Sequence, residues 1–91
     1  MISVESFEWD EANLEHIGRH GVRDYEVEDA ILFDRPVYLK GSDDRYYAYG
    51  VTEDGKHLFV VFTVIGNRTI RVITARDMTR KERAYYRKRR P

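Results

Sequence analysis

Arg76 ends a run that reads as a strand, and three residues later Thr79-Arg80-Lys81-Glu82 has the spacing of a capping box. A helix opened in this way presents free backbone N–H groups at its start, where an anion is favoured. An arginine at such a junction can hold a phosphate through two N–H groups at once. Arg71, Arg80, Lys81 and Arg83 flank it in sequence, so the junction suits phosphate binding. The same charges would also be explained by a solvated basic helix, or by arginines paired with acids elsewhere in the chain.

Two histidines form the other candidate group. His16 and His20 stand four residues apart and are neighbours on a helix surface. Such a pair can ligate zinc, but zinc needs a further ligand. There is no cysteine, and nothing in the spacing brings in His57 or a carboxylate, so no metal site is expected. His20, in Arg19-His20-Gly21, reads better as a helix-end histidine whose protonated form the dipole favours. That makes it a candidate general acid or base, or a phosphate contact, alongside a plain cap. Tyr46, Tyr47 and Tyr49 could stack on bases, although core packing is the commoner fate of such residues.

Charge is divided along the chain. From Lys56 onward eleven Lys/Arg face only Asp77 and Glu82, a net of +9. The first 55 residues hold five Lys/Arg and fourteen Asp/Glu, a net of −9. The zero total is a cancellation, and the basic part, with Tyr85 and Tyr86 in it, points to a polyanion, RNA first. Charged residues are 35 % and hydrophobic residues 42 %, which suits a folded, well-solvated domain rather than a disordered one. Ninety-one residues are expected to form one domain, 1–91. Without cysteine there can be no disulfide framework, which fits a reducing cytoplasm. The longest apolar stretch, Leu58 to Ile65 with Thr63 inside it, is far below the ~20 residues of a membrane span, and MISVESFEWDE has no secretory pattern.

The elements that must position these residues follow from periodicity. Ser6 to Trp9 reads as a short strand, and Asp10 as the cap of a helix carrying Leu14 and Ile17 inward and ending at Gly21. A second helix starts at Asp24, with Val27, Ala30 and Ile31 inward, and Asp34-Arg35-Pro36 ends it. The period then changes to two. Val37–Lys40, Arg45–Val51, His57–Ile65 and Thr69–Arg76 read as four strands joined by turns, the Asp54-Gly55 turn being a hairpin signal. In the last strand strict alternation places Arg71, Ile73 and Ala75 on one face and Val72, Thr74 and Arg76 on the other. A final helix runs to about Arg89. The order β-α-α-β-β-β-β-α predicts an α+β fold, an antiparallel sheet with two N-terminal helices and one C-terminal helix.

FEWDEANLEHIGRHGV, then an acidic helix and a meander ending in LFVVFTVIGNRTIRVITARDMTRKERAYY, resembles the BrnT family of bacterial type II toxins. The opening F-x-W-D, the H-G after helix one and the terminal R-V-I-T-A-R with its T-x-x-E and tyrosine carry the likeness, which runs from Phe7 to Tyr86. The resemblance implies a compact RelE-like fold and a metal-independent ribonuclease, without a cofactor, that blocks translation. It also implies a cognate BrnA-like antitoxin, joined with the toxin in a heterotetramer. By position the family's H-G histidine is His20, its strand-end arginine is Arg76, and its helix-three pair is Glu82 with Tyr85 or Tyr86. Arg76, His20 and Tyr86 are then the catalytic candidates; Arg71, Arg80, Lys81, Arg83 and Arg19 are the RNA contacts. The competing expectation is a non-catalytic basic module that binds an acidic protein or nucleic acid.

Overall fold

The computed structural model describes residues 2–90. In chain order the elements are β1 (Ser6–Glu8), α1 (Glu11–Gly18), α2 (Asp24–Leu32), β2 (Val37–Lys40), β3 (Arg45–Val51), β4 (His57–Gly66), β5 (Thr69–Asp77) and α3 (Arg80–Arg89). The α+β class and the element order agree with the sequence. The five strands form one sheet in the order β1-β5-β4-β3-β2. The expected antiparallel sheet needs one correction. β2 to β5 are an antiparallel meander, but β1 pairs parallel with β5, Phe7 opposite Ile70. Tight turns fix the directions of β2 to β5. The two helices that join β1 to β2 carry the chain from one edge to the other and impose no such reversal. No helix among the described residues is long and apolar enough to cross a membrane.

Helices α1 and α2 cover one face of the sheet. Ile17, Val27, Ala30 and Ile31 meet Ala48, Leu58, Val60, Phe62, Ile70, Val72 and Ala75 in the larger core. The close approach of α2 to β3 depends on Gly50: a Cβ there would lie 2.3 Å from the Ala30 carbonyl oxygen. The caps of the two helices differ in part from expectation. The Asp10 side chain does accept from the Asn13 N–H, at 2.9 Å. However, α1 ends at Gly18, and Gly21, at φ 74, serves the turn beyond it. Asp24 is the first helical residue of α2 rather than its cap, and Glu26 accepts from the Arg23 N–H at 2.9 Å.

The inward face of α1 is Asn13 and Ile17, while Leu14 is 39 % exposed. The buried Asn13 amide donates to the Val72 carbonyl at 2.8 Å. That carbonyl adjoins an irregularity in β5. Val61 faces Thr74 and Phe62 faces Val72, so Ile73 is an extra residue on β5, a β-bulge. The bulge overturns strict alternation. Ile70, Val72 and Ala75 all lie on the α1–α2 face, whereas Arg71, Thr74 and Arg76 share the other, opposite Thr63, Val61 and Phe59.

Two expectations for stability follow. Gly50→Ala should lower unfolding free energy by about 1–3 kcal/mol through overpacking, while Gly18→Ala, which meets open space at the end of α1, should raise it by up to about 1 kcal/mol. Asn13→Leu, though more apolar, should cost about 1–3 kcal/mol because the Val72 carbonyl is left buried without a donor. Urea unfolding at constant m-value measures each.

Candidate nucleic-acid interface

Helix α3 lies on the face of the sheet opposite α1 and α2. Its buried Tyr86 joins Tyr49 and Met78 in a second, smaller core with Val37, Tyr47, Val51, Phe59 and Tyr85 around it. The expected capping box forms: the Thr79 hydroxyl accepts from the Glu82 N–H at 3.2 Å and the Glu82 carboxylate from the Thr79 N–H at 2.8 Å. The same carboxylate takes two hydrogen bonds from Arg76, at 2.7 and 2.9 Å. Arg76 thereby ties the end of β5 to the first turn of α3, with its guanidinium 4.6 Å above the Phe59 ring. A third bond runs from Arg76 to the Asp77 carbonyl at 3.1 Å. Of the five donors of a guanidinium, Nε–H and one Nη2 hydrogen stay free for another acceptor.

These contacts set the charge states. The hydrogen bond to Glu82 pushes the Arg76 pKa further up. For Glu82, burial works against ionisation, but the Arg76 and Thr79 hydrogen bonds outweigh it and hold the carboxyl below its ordinary range.

The cations of the basic part fall into two sets. Those on strands and turns are neutralised at home: Lys56 by Glu26 at 3.2 Å, Arg68 by Glu5 at 2.7 Å, Arg71 by Glu8 at 3.0 Å and by Asp10, and Arg76 by Glu82. On α3, Arg80, Lys81, Arg83, Arg87, Lys88 and Arg89 are exposed, and none has a carboxylate within 4.0 Å among the described residues. The acids of the N-terminal half thus compensate Lys56, Arg68 and Arg71, Glu82 takes Arg76, and the cations of the helix are left bare.

The structure separates the remaining expected residues. Arg71 shares a face with Arg76, but the two are about 13–17 Å apart along the strand, too far for one phosphate. Arg19 is bound to Glu15 at 2.5 Å and His20 edges onto His16 at 5.5 Å; both are exposed after α1, on the far side of the sheet from α3. Tyr86 is 3 % exposed and packs beneath the helix, so the accessible tyrosine is Tyr85, its ring tilted against Tyr49 at 4.8 Å and covered by the Arg89 guanidinium at 3.8 Å. Tyr46 packs on Phe62 and Tyr47 on Phe59, as core residues do. The histidine on the α3 side of the sheet is His57, not His20. It starts β4 on the α3 face, a diagonal neighbour of Arg76 across the β4–β5 pair, roughly 7–8 Å away. Its ring meets Tyr86 edge-on at 6.0 Å, and Nδ1 lies 3.4 Å from an Arg83 nitrogen. The one signal in the sequence was a titratable residue opening an otherwise apolar strand.

This fold and site define a small α+β domain that presents a basic helix without carboxylate partners among the described residues, clamped at its start to an arginine. The family profile described as ribonuclease toxin, BrnT, of type II toxin-antitoxin system matches residues 9–82, and the chain belongs to that family. The crystal structure of the Brucella abortus ribonuclease toxin BrnT shares the fold. Its TM-score is 0.64 at 19 % identity, over 88 % of this chain and all of that one. No curated protein sequence matches the chain.

The sign of the Glu82 effect sets a pH test. Because its pKa is lowered on folding, Glu82 contributes stability above its ordinary value of 4.5, and this is lost as pH falls through the folded value. Wild type should therefore exceed Glu82→Gln by about 1 kcal/mol at pH 7, a figure discounted for the partial exposure of Arg76. The gap should close below pH 4.5 in urea unfolding measured across pH.

Proposed function

We propose that this protein is the toxin of a type II toxin–antitoxin pair and acts in the cytoplasm as a metal-independent endoribonuclease that inhibits translation. The observation that carries the reading is the bare charge of α3: six exposed cations with no carboxylate partner among the described residues, beside an arginine with donors to spare. An RNA backbone is an acceptor of matching chemistry. Family membership supports an antitoxin partner; in this reading it is a BrnA-like protein that neutralises the toxin by forming a heterotetramer with it.

The reaction is attack of an RNA 2′-hydroxyl on the adjacent phosphorus, leaving a 2′,3′-cyclic phosphate and a 5′-hydroxyl. Negative charge grows on the non-bridging oxygens. Arg76 meets it through Nε–H and its free Nη2 hydrogen, with Glu82 fixing the plane of the guanidinium. Arg80 and Lys81 act beside the open N–H groups of α3, and Arg83 and Arg87 track the backbone. Arg71 serves a neighbouring phosphate once Glu8 and Asp10 yield it. His20, Arg19 and Tyr86 take no part in the chemistry in this reading. One preorganised donor at a developing oxyanion is worth about 3–4 kcal/mol, so Arg76 dominates the barrier.

Purified protein in excess EDTA should cleave a mixed RNA, and Arg76→Ala should slow the reaction by roughly 10²–10³-fold while circular dichroism stays native. Arg83→Gln with Arg87→Gln should lower the salt slope of RNA binding by about 0.7 for each phosphate contact removed. Growth arrest on induction, relieved by the antitoxin and absent in Arg76→Ala, separates this reading from a non-catalytic basic module, which cells would tolerate.

A further inference from the structure

We propose that His57 is the general base of this site, taking the 2′-hydroxyl proton on Nε2 while Arg83, Arg87 and Arg90 of the C-terminal helix and its cap gather the phosphate. The proposal rests on the ribonuclease reading above and assigns within it a residue that no family motif supplies.

The geometry determines which nitrogen is available. His57 Nδ1 lies 3.1 Å from the Gly55 carbonyl and 3.4 Å from an Arg83 nitrogen. The carbonyl can only accept and the guanidinium can only donate, so a single Nδ1 cannot satisfy both. The shorter, better contact puts the hydrogen on Nδ1, donating to Gly55. Nε2 is then left with a lone pair, the arrangement a proton acceptor requires. The edge-on contact with Tyr86 at 6.0 Å fixes the ring plane. Val51 lies across the strand pair, and the neighbouring Lys56 is turned away, bonded to the Gly21 carbonyl at 3.0 Å and to Glu26 at 3.2 Å. The charged groups facing His57 among the described residues are therefore the arginines of the C-terminal helix and its cap, with no carboxylate among its hydrogen-bond or ion-pair partners there.

The surroundings keep the ring neutral near pH 7. Burial lowers the pKa first and Arg83 lowers it further; the Gly55 carbonyl opposes them, and Arg87 and Arg90 add to the fall. A base must be unprotonated to work, so the cations that attract the phosphate also keep His57 ready.

The step balances without a metal. The O2′–H proton passes to Nε2, O2′ bonds to phosphorus, and the P–O5′ bond breaks. The 5′-oxygen leaves with a proton from water, and the imidazolium returns its proton to solvent. Arg76, on the same face one diagonal away, stabilises the charge on the phosphoryl oxygens.

The test is the pH dependence of single-turnover RNA cleavage in EDTA, with NMR titration of the His57 ring as a readout independent of activity. Wild type should show an acid limb with an apparent pKa below 6.5, matched by the ring titration. His57→Gln should lose about 10²–10⁴-fold in rate, with the acid limb abolished and KM changed little. Imidazole should restore part of the rate in His57→Ala. Arg83→Gln, a change at an exposed residue that spares the fold, should move both the limb and the ring titration upward together. A folded His57→Gln that keeps its rate and its acid limb would overturn the proposal and leave the ribonuclease reading standing. Failure of wild type to cleave any RNA, free or on ribosomes, would remove that reading and this base with it.

Discussion

The bulge at Ile73 in β5 is the constraint on which the site depends. Without it, the alternation that buries Val72 would bury Arg76 under α1 and α2, in the larger apolar core. One extra residue lets Ile70, Val72 and Ala75 stay in the larger core while Arg71 and Arg76 emerge on the face that carries α3. An irregular ladder leaves backbone groups to satisfy, and Asn13 does so by donating to the Val72 carbonyl from inside α1. A buried polar residue on the first helix therefore helps hold the last strand in the shape that presents the arginine.

The second organising feature is the way charge is shared out. A net of −9 in the first 55 residues and +9 in the rest could have been spent wholly inside the molecule. Glu5 and Glu8, with Asp10, meet Arg68 and Arg71 because β1 lies beside β5, and Glu26 meets Lys56 because α2 begins near the β3–β4 turn. α3 packs on the opposite face and reaches none of these acids. Its charge stays exposed for a topological reason: the acidic helices and the basic helix are on different sides of one sheet.

Arg76 and Glu82 join these two features. Their double hydrogen bond fixes the start of α3 to the end of β5, and the capping box uses the same carboxylate. Tyr86 and Tyr49 complete the attachment by packing beneath the helix. The group best placed to bind phosphate is thus also one that holds the helix down, so structure and chemistry draw on one residue. His57 enters the same neighbourhood only because β4 begins where α3 crosses it.

Much was legible in the sequence. Period-two runs and turn signals located β2 to β5 almost to the residue, and Thr79-x-x-Glu82 located the start of α3, because these are local properties of backbone and side chain. The basic helix and Arg76 at its base were legible for the same reason. Three things were decided only by tertiary structure. The parallel pairing of β1 depends on a partner more than sixty residues away. The bulge that turns Arg76 outward and the inward place of Asn13 exist only through each other, across fifty-nine residues. The placement of His57, and not His20, beside α3 follows from which side of the sheet each helix covers. Local periodicity specifies what an element is; only packing specifies which elements share a face, and a site is made of residues that share one.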